Sequence, residues 1–237
     1  MNIPIDHTIE KKRILYALVF PLLFVTILWL VFAIEHSFDF DFSRFGVLPR
    51  RVEGLWGIVL SPFLHSSAMH LFSNSVPLVV LGWCLVYFYR DLGYKVFPLL
   101  WLLSGVLTWC IGRDAWHIGA SGLTYSLAFF LFFSGILRRH IPLMAVSLIV
   151  VFLYGSIVWA MFPVAEIVDS TISWEGHLSG AISGLCCALV FRKQGPQKPI
   201  IEEEPEDEDE ENDELQVTNG EIEVNKSPQI TFETTSN

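Results

Sequence analysis

The sequence predicts an all-α polytopic membrane protein, a bundle of six transmembrane helices. Three observations carry that expectation. Of 237 residues, 52% are hydrophobic and the mean hydropathy is +0.49, more apolar than soluble domains of this length. The apolar residues fall into runs near the length that crosses a hydrocarbon core, each closed by polar or charged residues. The formal net charge of −10 is unevenly placed: residues 200–237 hold 14 of the 25 acidic side chains and one of the 15 basic ones, leaving 1–199 at +3. Body and tail are therefore separate physical objects.

Taken in order, residues 1–13 form a polar N-terminal segment ending in Lys11-Lys12-Arg13. Ile14 to Ile34 runs without a charge and is the first span, and Pro21 inside it is a candidate kink. The first loop, 35–67, alternates aromatic and acid from Phe38 to Phe42 and carries Gly57 and Pro62, which predicts short amphipathic helices at the membrane interface. The second span is Ala68–Tyr89, the third Val96–Ile111, the fourth Ser121–Ile136, the fifth Ile141–Val164 and the sixth Gly176–Phe191. From 194 onward the chain is acidic and too polar to bury a core, so 194–237 reads as a disordered, solvated tail. The domain of interest is then 14–193.

Basic residues orient the bundle. With the N-terminus inside, cytoplasmic segments hold Lys11, Lys12, Arg13, Arg90, Lys95, Arg138, Arg139, Arg192, Lys193 and Lys198, and the opposite side holds Arg44, Arg50, Arg51 and Arg113. That bias follows the positive-inside rule and puts both termini in the cytoplasm. The first apolar run lacks a small-residue cleavage site behind it and reads as a retained helix, which favours a bacterial cytoplasmic membrane. Cys84, Cys110, Cys186 and Cys187 lie in apolar runs without metal-ligand spacing and are read as small buried residues.

Polar side chains inside spans are costly and mark functional candidates. In this topology His70, Asn74, Ser121 and His177 all lie at the outer ends of spans two, four and six. His70 and Asn74, like Ser121 and Tyr125, are four residues apart and share a helix face. Ser121 follows Gly119-Ala120 and precedes Gly122, at a helix start where free backbone N–H groups could stabilise an oxyanion. Gly176, Gly180 and Gly184 make two small-xxx-small steps that allow close helix approach. If that neighbour is span four, His177 reaches Ser121 as a general base.

The ordered set Gly119-Ala120-Ser121-Gly122 with Tyr125, His70-xxx-Asn74 and Gly176-His177-xx-Gly180-xxx-Gly184 resembles the rhomboid family of intramembrane serine proteases. The segments Gly46-Val47-Leu48-Pro49-Arg50 and Ser61-Pro62-Phe63-Leu64-His65 resemble that family's first loop. The resemblance implies a six-helix rhomboid-like fold and a Ser121–His177 dyad without a catalytic acid. It also implies an oxyanion hole from His70, Asn74 and the Ser121 backbone N–H, with Tyr125 packed on the His177 ring. Gly119 and Gly122 would permit the tight backbone around the serine, and Gly180 and Gly184 the helix approach. The partners it implies are single-span transmembrane protein substrates and membrane lipid. No cofactor, metal or nucleic acid is expected.

Blander readings stand beside these. Ser121 alone is a helix N-cap; His70 and Asn74 alone are interhelical glue. His65 is expected to structure its loop. His7, His36, His117 and His140 are read as loop or interface residues, and Glu175 as a solvated loop acid. The rival functions are a catalytically silent relative that binds transmembrane helices, and a transporter. The chain keeps both dyad residues, and it shows neither an internal repeat nor paired broken helices. It also lacks the His-Glu-xx-His zinc motif and paired membrane aspartates.

Overall fold

The structure, a computed structural model, describes residues 7–139, 141–153, 159–163 and 173–195. Among them the chain is helical and no strand is formed, apart from an isolated antiparallel bridge between Val47 and His117. The long helices are α1 (His7–Ser37), α2 (Ala68–Tyr89), α3 (Asp91–Ile111), α4 (Ser121–Arg138), α5 (Ile141–Leu153) and α6 (Trp174–Val190). Three of these, over Thr8–Ser37, Ala68–Tyr89 and Asp91–Ile111, are long and apolar enough to cross a membrane; α4 to α6 are shorter. The expected fifth span is described as α5 and a 3-10 turn, Trp159–Met161, with its remaining residues outside the description, as is the tail beyond Gly195.

Local chemistry sets the boundaries. Ser67 caps α2, its hydroxyl accepting the His70 N–H at 3.1 Å, which satisfies one orphan donor of the first turn. The third helix starts at Asp91, five residues before the expected Val96, because one residue, Arg90, suffices to reverse the chain. Arg90 has φ +52° and ψ −127°. Asp91 then complements the positive end of α3. Helix α1 begins at His7 and runs through Pro21 without interruption. Helix α6 begins at Trp174, two residues before the expected Gly176, because Ser173 caps it by accepting the Gly176 N–H.

The first loop is built of single turns, Ser43–Phe45, Val52–Gly54, Gly57–Leu60 and Ser61–Phe63. It is stitched to the end of α3. Val47 and His117 exchange both backbone hydrogen bonds (2.9 and 2.8 Å), the Arg50 N–H donates to Trp109 O at 3.0 Å, and Arg50 Nη1 donates to Gly112 O at 2.7 Å. The centre of the bundle is leucine-rich: Leu71, Leu81 and Leu85 of α2, Leu100 of α3 and Leu127 and Leu131 of α4 are fully buried. Helix α1 is the outlier, with 28% of its most apolar window buried, the proportion of a helix facing lipid. Cys84 and Cys187 are buried as expected, whereas Cys110 and Cys186 are exposed on helix faces.

Candidate active site

Ser121 is delivered by a turn that the first loop holds from below. Gly119 has φ +108°, a conformation that L side chains rarely adopt, and a Cβ there would meet the His70 ring at 2.8 Å. Its N–H donates to Ser61 O at 2.9 Å. The Ala120 N–H donates to His65 Nε2 at 3.3 Å, so His65 structures the loop as expected and does so at the residue next to Ser121. Burial, then the neighbouring His70, push the His65 imidazole down to about 3.

His177 arrives from α6. Its Nε2 lies 2.9 Å from Ser121 Oγ and its Nδ1 lies 2.9 Å from the carbonyl oxygen of Ala160. A carbonyl only accepts, so Nδ1 carries the proton and Nε2 presents its lone pair to the serine hydroxyl. The Tyr125 ring stacks on the imidazole with centroids 4.4 Å apart and an 8° interplanar angle. The ring is thus fixed by a carbonyl, a hydroxyl and an aromatic face.

The close approach of α4 and α6 makes this pairing possible. A Cβ on Gly180 would fall 2.1 Å from Gly122 O, and one on Gly184 would fall 2.4 Å from Ser126 O. A Cβ on Gly122 would meet Ser104 Oγ at 2.7 Å and Gly176 O at 3.2 Å. Between these contacts Ser126, fully buried, lies 3.1 Å from Gly180 O and 3.0 Å from Ser183 Oγ.

The structure therefore brings Ser121, His177 and Tyr125 into direct contact, with Gly119, Gly122, Gly180 and Gly184 where backbone needs the space. His70 packs against Gly119 and pairs through Nδ1 with Ser66 Oγ at 3.2 Å. Asn74 is not brought to Ser121 by a hydrogen bond: its Nδ2 donates to the carbonyl of His70 at 2.9 Å. Its amide has a second N–H beyond that bond.

One sequence reading is corrected here and another is sharpened. Glu175 is not a solvated acid; it is 2% exposed, accepting the Arg113 N–H and guanidinium, each at 3.2 Å. His117 lies in a loop, as read, but with more partners than a bare loop position implies. It is buried, with Nδ1 2.6 Å from Ser173 Oγ and Nε2 3.1 Å from Arg113 O. Burial lowers its pKa, against the opposing effects of the Arg113 carbonyl and Glu175. Together Arg113, His117, Ser173 and Glu175 clamp the loop before α4 to the first turn of α6. Behind Ser121 a cavity of about 30 Å³ is lined by Ser104, Thr108, His117 and Ser173 among others, the size and polarity that hold a water molecule.

The model of the Rhomboid domain family matches residues 52–194, more than half of the chain and every residue of this site. The chain belongs to the rhomboid family. Helix α1 precedes the matched segment. Uncharacterized proteins of Mycobacterium tuberculosis (strain ATCC 25618 / H37Rv) and Mycobacterium bovis are each 34% identical to this rhomboid over 195 residues, covering 79% of this chain and 80% of theirs. An uncharacterized protein of Mycobacterium leprae is 33% identical over 195 residues, covering 79% of this chain and 76% of its own. These relatives add kinship to the rhomboid assignment and no activity.

Proposed function

We propose that this rhomboid is an intramembrane serine endopeptidase that cuts single-span membrane proteins. The observation that carries the proposal is the 2.9 Å contact between His177 Nε2 and Ser121 Oγ, with the other ring nitrogen committed to Ala160. In that tautomer Nε2 takes the hydroxyl proton as Oγ attacks the scissile carbonyl, then returns it to the leaving amine. The acyl-enzyme formed on Ser121 is hydrolysed by water activated through the same nitrogen. The oxyanion is met by the Ser121 backbone N–H at the start of α4, by His70 and by the free N–H of Asn74. With the Ser66 hydroxyl donating to His70 Nδ1, His70 Nε2 carries its proton on the Gly119 side. One such donor is worth about 3 kcal/mol of barrier.

The proposal includes six spans in an inner membrane with both termini cytoplasmic, which the distribution of basic residues supports. Purified protein, wild type and Ser121→Ala, is treated with a fluorophosphonate probe and with model single-span substrates. Labelling and cleavage are expected in wild type and absent in Ser121→Ala and His177→Ala. Equal labelling of wild type and Ser121→Ala would remove Ser121 as nucleophile. Absence of labelling in wild type would favour a silent helix-binding role.

A further inference from the structure

At the end of α2 remote from Ser121, a cavity of about 330 Å³ opens between α1, α2 and α3. Its sides are Arg13 and Tyr16 of α1, Tyr87 of α2, Arg90 at the hinge, and Asp91 and Tyr94 of α3, over a floor of Ala17 and Val86. Two guanidinium groups in it have unused capacity. Arg13 donates through Nη2 to Tyr87 O at 3.0 Å and lies over the Tyr87 ring at 4.5 Å, yet its buried Nε has no partner. Arg90 makes no side-chain hydrogen bond or ion pair among the described residues. Arg90 also occupies a backbone conformation that glycine adopts without strain and an arginine adopts against its preference.

Charge and shape point the same way. Lys11, Lys12 and Lys95 are exposed on the neighbouring turns of α1 and α3, so basic side chains outnumber Glu10 and Asp91 at this end of the bundle. Glu10 is already engaged, by the Tyr87 hydroxyl and by Arg13 Nη1 at 3.7 Å. Beyond the cavity α1 and α3 meet through aromatic rings: Phe20 touches Tyr94 and Phe97 at centroid distances of 5.4 and 4.9 Å. Next to these rings α1 exposes the apolar side chains Val19 and Leu23. A largely apolar chamber edged by two arginines, beside the exposed apolar face of α1, fits a molecule with a phosphate and acyl chains.

We infer that this cavity binds one anionic phospholipid, its phosphate between Arg90 and Arg13 and its chains along the exposed apolar face of α1 beside α3. Asp91 at the mouth accepts hydrogen bonds from headgroup hydroxyls. The site is independent of the peptidase reading and rests on the chain spanning a membrane. Guanidinium–phosphate hydrogen bonds are among the strong charge-assisted ones, and tyrosines at this level suit the lipid interface.

The full chain in detergent is titrated by native mass spectrometry with phosphatidylglycerol, with diacylglycerol of the same chains, and with glycerol phosphate. Phosphatidylglycerol is expected to bind at least about tenfold tighter than diacylglycerol. Arg90→Gly fits the hinge backbone and is expected to erase that difference without lowering the lipid-free melting temperature; Arg90→Gln keeps the side-chain length and is expected to lose lipid equally. Arg139→Gln, a surface arginine at the same end of the bundle, is expected to bind as wild type. Three outcomes would overturn the site as drawn: equal binding of both lipids, saturation by glycerol phosphate alone, or equal loss in Arg139→Gln and Arg90→Gly.

Discussion

Substituting Gly180 by alanine tests whether the α4–α6 separation sets the chemistry. The added Cβ would sit 2.1 Å from Gly122 O, 2.9 Å from Tyr125 Cβ and 3.0 Å from Gly122 C. Two of those atoms are backbone and cannot swing aside. Restoring ordinary contact near 3.4 Å requires the helices to part by about 1.3 Å at this point. Gly180 is one turn from His177. If about half of the displacement reaches the imidazole, the 2.9 Å contact with Ser121 opens past hydrogen-bond length. A misplacement of about 1 Å costs on the order of 100-fold in rate, and overpacking costs about 1–3 kcal/mol of stability. The assay is the second-order rate of fluorophosphonate labelling, read beside the thermal melt. Gly184→Ala is the comparison: its Cβ would fall 2.4 Å from Ser126 O, an equal packing insult two turns from His177. Gly180→Ala is expected to lose much more labelling than Gly184→Ala at similar destabilisation. Wild-type labelling by Gly180→Ala, or equal losses in both variants, would refute the link between helix spacing and the Ser–His contact.

Other expectations follow from the neighbouring contacts. Glu175→Gln removes the charge facing Arg113, whose side chain is 28% exposed; breaking a pair of this partly buried kind is expected to cost about 2 kcal/mol in melting experiments, with slower labelling. An unchanged melt would show that the clamp carries no stability. The neutral His65 in the fold, at about 3 against an ordinary 6.5, gives the unfolded chain the extra proton between those values. Stability should therefore fall as pH drops through that window, by up to about 1.4 kcal/mol per pH unit. His65→Gln, which can still accept the Ala120 N–H, should flatten this acid limb; an identical limb would assign it to other groups.

Much of this site was legible in the sequence because burying polar groups among apolar residues is expensive. His70, Ser121 and His177 stand out against their spans for that reason, and the Gly176-Gly180-Gly184 repeat announced a close neighbour. The Ala160 carbonyl left no trace, since every residue has one and the backbone path alone decides where it points. Glu175 and Arg113 are 62 residues apart, so nothing local distinguished a clamped acid from a solvated one. Asn74 shows the limit of periodicity: four-residue spacing placed it on the face of His70 but gave no sign that one amide N–H would bond back to the His70 carbonyl. The Arg90 hinge was missed because a charged, non-glycine residue is a poor signal for a one-residue reversal, and Lys95 looked like loop when it sits inside α3, one turn past Asp91.

The partner of His177 Nδ1 is a peptide dipole rather than a carboxylate. In apolar surroundings an ionised carboxylate carries a desolvation cost that a carbonyl avoids. A carbonyl also has no proton to gain. The orientation of the imidazole is thus set by a group that stays the same at every pH, so the dyad itself contributes one acid ionisation, that of its histidine. With the acid unfolding linked to His65 taken out, its acid limb should lack the second step that a titrating aspartate beneath the ring would add.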